Sequence, residues 1–168
     1  MGSRERGADF DRFVTDTGAR LLRTAYLLTG DRGAAEDLLQ DVLERMYVAW
    51  PRVQDPLPYA HRALVQGAGN RWRSRARRPE APLTAEHAAV VVDSGDAHAE
   101  RDRLLRALAQ LPARQRAVVV LRWFEDLSEA RTAEVLGCSI GTVKSQSSRA
   151  EHRLRQLLDE TDSLEGIR

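Results

Sequence analysis

Leu136-Gly137-Cys138-Ser139-Ile140-Gly141-Thr142-Val143-Lys144-Ser145 is the stretch on which the reading of this chain turns. A short helical pattern, Ser128 to Leu136, runs into a glycine. A second opens at Ser139, a residue suited to capping a helix start, and continues past Leu154. Helix, glycine turn and helix is the layout of a helix-turn-helix DNA reader. On the second helix Ile140, Val143, Ala150, Leu154 and Leu157 recur at helical spacing, which predicts a buried side. Lys144, Ser145, Ser148, Arg149 and His152 fall on another side, rich in groups that hydrogen-bond to bases and phosphates. Taken alone, the same stretch also fits an ordinary amphipathic helix with a solvated polar face.

Composition narrows the choices. A chain of 168 residues makes one domain or two small ones, and 42% hydrophobic residues are enough for a core. Aromatics are only 5%, while Ala, Leu, Arg and Glu dominate, so an all-α fold is expected. The 26 basic residues against 25 acidic ones give a net charge of +1, so overall charge does not announce a nucleic-acid binder; the clustering of the arginines does. A single cysteine, Cys138, excludes an internal disulfide and a cysteine-rich zinc site, and it reads as a packing residue. His61, His87, His98 and His152 show no metal-ligand spacing, so no metal is expected. No apolar run approaches membrane-spanning length and no signal peptide is visible, so a cytoplasmic protein without a membrane partner is expected.

Along the chain, the segment from about Asp9 to Arg78 reads as three helices. Phe10, Phe13, Leu21, Leu22, Ala25 and Leu28 mark the first, which stops at Gly30. The second starts at Asp31, an N-cap, and runs to Trp50 with Ala35, Leu38, Leu39, Val42, Leu43, Met46, Tyr47 and Trp50 as its apolar set. Pro51 to Pro58 holds three prolines and reads as a loop, and the third helix follows from about Tyr59 into an arginine run ending at Arg78. Residues 79–98 read as a flexible linker, whose apolar run 88–92 either docks on a partner or forms a short strand. Residues 99–159 read as four helices, the second starting at Pro112, and the residues beyond Asp159 as a frayed tail.

Three pieces carry a family resemblance: residues 35–50 (AEDLLQDVLERMYVAW), 111–130 (LPARQRAVVVLRWFEDLSEA) and 133–150 (AEVLGCSIGTVKSQSSRA). In this order and spacing the chain resembles the extracytoplasmic-function group of bacterial sigma-70 factors, in the short actinobacterial two-domain form. The resemblance implies two helical domains: a three-helix region 2 domain at 9–78 and a four-helix region 4 domain with the helix-turn-helix at 99–159. It implies a non-catalytic initiation subunit that needs no cofactor and works with core RNA polymerase, through its clamp helices and flap, and with promoter DNA. Whether an anti-sigma factor is a further partner stays open.

The resemblance also assigns residues. Asp37, Gln40, Asp41 and Glu44 share helical spacing on the second helix, and the family places this stripe on the polymerase clamp; by composition alone it is a solvated acidic face. The −10 element falls to Gln54, Asp55, Tyr59, Gln66, Asn70, Arg71, Trp72, Arg73 and Arg75. A rigid proline loop with aromatics suits capture of a flipped base, and arginines suit phosphates. Trp72 either stacks at the duplex fork or is a core-edge residue. The −35 element falls to Thr142, Lys144, Ser145, Ser148 and Arg149, with Arg149 matched to guanine O6 and N7 and Lys144 to phosphate.

Three departures stand out. Many relatives carry Asn at Gln66 and tryptophan at Tyr59, and Arg131 stands where an acid often completes a capping box with Ser128. Two rival readings compete: a standalone helix-turn-helix regulator, which needs neither the acidic stripe nor the proline loop, and a helical nuclease, which would need clustered carboxylates with His that the sequence lacks.

Overall fold

The computed structural model describes residues 3–76 and 95–165, with side chains described for 7–74 and 99–159. The described residues form seven helices and no strand. The chain divides into two units, at Met1–Ala81 and Pro82–Arg168. The linker run 88–92, Arg77 and Arg78 lie outside the described residues.

The first unit packs α1 (Ser3–Thr29), α2 (Arg32–Ala49) and α3 (Pro56–Ala76) pairwise. Leu21, Ala25 and Leu28 of α1, Ala35, Leu38, Val42 and Met46 of α2, and Ala60, Leu64 and Ala68 of α3 are buried. Each large side chain so buried contributes roughly 1.5–3 kcal/mol. The turn between α1 and α2 is built by Gly30, at φ 74°, and by the Asp31 carboxylate, which accepts from the Ala34 N–H at 2.7 Å. At the other end of α2, Phe10 lies edge-on to both Tyr47 and Trp50, with ring centroids 5.2 and 5.1 Å apart. Tyr47, expected with the buried set, keeps 52% of its surface exposed because it only flanks this cluster.

Two boundaries differ from the sequence reading. α1 starts at Ser3, several residues before Asp9. The proline segment is only partly a loop: Trp50–Arg52 is a 3-10 turn, and Pro56, Leu57 and Pro58 form the first turn of α3. Proline suits that position because the first N–H groups of a helix have no intrahelical acceptor to lose. Further along α3, Gly67 lies under α2: a Cβ there would sit 2.4 Å from Leu38 Cδ1.

The second unit contains α4 (Gly95–Ala109), α5 (Ala113–Val119), α6 (Glu129–Leu136) and α7 (Ile140–Glu165). Residues 95–98, read as linker, are the first turn of α4, and the tail read as frayed after Asp159 continues α7 to Glu165. α5 runs into a π-helical turn, Val120–Phe124, closed by the Glu125 N–H on the Val120 carbonyl at 3.0 Å. Arg116, 2% exposed, joins α4 to α5: its guanidinium donates to the carbonyls of Leu108 at 2.7 Å, Ala109 at 2.6 Å and Leu111 at 3.3 Å. Leu108 and Ala109 end α4 and Leu111 lies in the turn after it, so one guanidinium ties the end of α4 and its turn to α5. Burial lowers the Arg116 pKa to about 10, so the group stays charged at neutral pH.

Candidate nucleic-acid interface

The recognition pair is built from its caps. Ser128 Oγ accepts from the Arg131 N–H at 3.1 Å and starts α6. Arg131, which breaks the capping box, pairs instead with Glu134 Oε2 at 2.6 Å, so its charge is offset on its own helix. Gly137 ends α6 in the left-handed region at φ 63°. The Cys138 N–H then closes the turn on the Ala133 carbonyl at 3.0 Å, and its side chain packs against the cluster of Val118, Ala133 and Val143. Cys138 is thus the packing residue that its position suggests. Ser139 starts α7, accepting from the Thr142 N–H at 3.1 Å.

On α7, Val143 and Ala150 are fully buried, and Leu154 and Leu157 are half-buried. Ile140 departs from the expected buried set and is 45% exposed. Of the residues expected to face DNA, Lys144, Ser145, Ser148 and Arg149 are exposed together. Thr142 is half-buried, with its hydroxyl 2.9 Å from Ser139 Oγ, so it serves the cap. Lys144 Nζ stands 3.8 Å from Glu129 Oε2, a loose pair that leaves its side chain 65% exposed.

In the first unit, Asp37, Gln40, Asp41 and Glu44 are all exposed along α2, opposite its buried line. Gln40 Nε2 donates to Glu44 Oε1 at 3.0 Å, and Arg71 Nη2 reaches from α3 to Asp41 Oδ2 at 2.9 Å. Tyr59, Gln66, Asn70 and Arg73 are exposed, and their spacing puts them on one stripe of α3. Asn70 Oδ1 accepts from Arg73 Nη2. Arg71 leaves that stripe and turns to α2. Trp72 is 38% exposed and, with Asn70, Arg71, Ser74, Thr29 and Ala34, lines a cavity of about 320 Å³. Gln54 and Asp55 are exposed just before α3, and the Arg75 side chain lies outside the described residues. The sequence reading missed Arg62, exposed on the Tyr59–Gln66 stripe; the same periodicity, applied to residues 59, 62 and 66, contains it.

Among the described residues no three His, Cys, Asp or Glu side chains gather as metal ligands, and no helix is long and apolar enough to cross a membrane. The exposed polar face of α7, presented by a capped turn from a packed helical unit, defines the second unit as a helix-turn-helix DNA-reading module. Two family profiles match the chain: "Sigma-70 region 2" over residues 13–78 and "Sigma-70, region 4" over 101–154. The chain is 39% identical over 157 residues to an RNA polymerase sigma-E factor of Streptomyces avermitilis, covering 92% of this chain and 87% of that one. It is 34% identical over 152 residues to the ECF RNA polymerase sigma factor SigM of Mycobacterium tuberculosis, covering 89% and 76%. A solved structure of the sigma factor RpoE of Bartonella quintana, in complex with the anti-sigma factor NepR, superposes with a TM-score of 0.75 at 26% identity, covering 90% of this chain and 97% of that one. The chain therefore belongs to the sigma-70 family, in its extracytoplasmic-function (ECF) branch. It is an RNA polymerase sigma factor for promoter-specific transcription initiation.

Proposed function

We propose that the two units divide promoter recognition between them. The first, over 9–78, binds core polymerase through the α2 stripe of Asp37, Gln40, Asp41 and Glu44. It meets the −10 element through Gln54, Asp55 and the α3 stripe of Tyr59, Gln66, Asn70 and Arg73, joined by Arg71, Trp72 and Arg75. The second, over 99–159, reads the −35 element with Lys144, Ser145, Ser148 and Arg149, while Thr142 holds the start of the reading helix. Residues 79–94 link the two, since 95–98 belong to α4.

The observation that carries this reading is the α2 stripe. Asp37, Gln40, Asp41 and Glu44, three acids and an amide at helical spacing, are all exposed on a helix whose other side buries Ala35, Leu38, Val42 and Met46. Exposed pairs such as Asp41–Arg71 add little to the fold, whereas a basic partner surface gains from the whole stripe. The chain acts without catalysis of its own, and its place of work is the bacterial cytoplasm, with the polymerase. An anti-sigma factor is a further partner in this reading, since the Bartonella quintana relative was crystallised bound to one.

Co-purification of the full chain with core polymerase, followed by run-off transcription on a genomic promoter pool, tests this. Discrete transcripts that depend on the chain are expected. A chain that fails to bind core, yet binds duplex DNA tightly by itself, would overturn the reading.

A further inference from the structure

Ile140 is a large apolar side chain that the fold covers only in part. Helical periodicity groups it with Val143 and Ala150, which are fully buried, yet Ile140 is 45% exposed. Three residues along a helix turn it by roughly 60° off the line of Val143, and it stands outside the cluster of Val118, Ala133 and Val143.

Its neighbour Gly141 is also unexplained by the fold. Its φ is not positive, and a Cβ there would meet nothing closer than Ser139 Oγ at 3.7 Å, an ordinary contact. Alanine would favour the helix by about 0.5–1 kcal/mol. Neither backbone conformation nor internal packing asks for glycine here. A missing side chain on an exposed first turn does permit close approach by something outside the chain.

Helix-turn-helix proteins present the N-terminal residues of the second helix to base edges in the major groove. The apolar group on those edges is the 5-methyl of thymine. A half-exposed isoleucine beside a side-chain gap fits it in size and chemistry. Lys144, one turn further on the same flank, is placed for the adjacent phosphate.

We infer that Ile140 reads a thymine of the −35 element through its 5-methyl group, and that Gly141 is the gap that lets the turn seat against the groove. This rests on the assignment of α7 to the −35 element.

The test uses holoenzyme made from the full chain and core polymerase. A promoter library randomised over the −35 element is selected by the parent holoenzyme. The best promoter is then remade with deoxyuridine in place of each −35 thymidine in turn. Thymine should be selected at one position at least. Uracil there should weaken parent binding about fourfold, the factor that burying one methyl group supplies. Ile140→Ala holoenzyme should be weakened to a similar degree on thymine and indifferent to the loss of the methyl. Ile140→Val should keep the discrimination. Gly141→Ala should melt at the parent temperature or above it while binding the promoter less tightly. A parent with −35 selectivity but no thymine preference would overturn the inference alone. So would an Ile140→Ala holoenzyme with undiminished uracil sensitivity. A holoenzyme with no −35 selectivity that α7 variants alter would overturn the −35 assignment, and the inference with it.

Discussion

Arg71 on α3 donates to Asp41 on α2 at 2.9 Å, joining an arginine of the proposed −10 surface to an acid of the proposed polymerase surface. Their side chains are 34% and 52% exposed, so solvent screens the pair and it adds no more than about 1 kcal/mol to the fold. Replacing Asp37 and Asp41 together by lysine is therefore expected to leave a folded protein, with a thermal melt within a few degrees of the parent, that no longer binds core polymerase. Arg71→Ala, which breaks the same pair from its other end, should keep core binding. A folded double variant that binds core like the parent would remove this stripe from the polymerase interface.

The buried Arg116 predicts a large stability effect away from any binding surface. Arg116→Ala removes the side-chain bonds to the Leu108, Ala109 and Leu111 carbonyls and leaves a cavity where the buried side chain was. A loss of about 2–4 kcal/mol is expected. Urea unfolding of the full chain should show it as a lower midpoint of the transition that reports the second unit.

Gly67 predicts a steric effect in the first unit. The Cβ of Gly67→Ala would stand 2.4 Å from Leu38 Cδ1, and Leu38 is fully buried with little room to retreat. A cost of about 1–3 kcal/mol is expected. The cost should shrink in a Leu38→Ala background, where the clashing atoms are gone, so a double-mutant cycle measures the contact itself. Gly137→Ala offers the contrast: nothing lies within 4 Å of its Cβ, so its expected cost, about 1–2 kcal/mol, comes from the left-handed backbone alone.

Exposed cations on α7 should differ in kind. Arg149→Ala is expected to cost about 1–3 kcal/mol and to relax preference at one −35 position. Lys144→Ala should weaken binding across sequences and reduce the slope of log affinity against log salt by about one unit. Binding of each holoenzyme to −35 variants over a salt series separates the two.

The isolated chain should bind duplex promoter DNA weakly and leave it unmelted. Its net charge is only +1, and the acidic stripe of α2 lies in the same unit as the α3 arginines and engages one of them. Permanganate footprinting should show unpaired −10 thymines only when core polymerase is present, and nanomolar duplex binding by the free chain would contradict this.

The sequence by itself determined the helices, the caps at Asp31, Ser128 and Ser139, the glycine turn at Gly137 and the exposed stripe on α2. These follow from local chemistry: side-chain periodicity, a hydroxyl or carboxylate within reach of a free N–H, and a backbone that only glycine enters cheaply. Tertiary structure decided what depends on a neighbour. Periodicity placed Ile140 in the core, but only the arrangement of α5 and α6 around α7 sets where the buried line ends. Arg116 sat near other arginines with nothing local to mark it as buried, because its acceptors lie at the end of the preceding helix and in the turn after it. Gly67 looked like any helical glycine until α2 lay over it, and Arg71 looked like one arginine of a run until Asp41, 30 residues earlier, came within 2.9 Å. A one-dimensional pattern records the angle at which a side chain leaves its own helix, but not which other helix fills the space it enters.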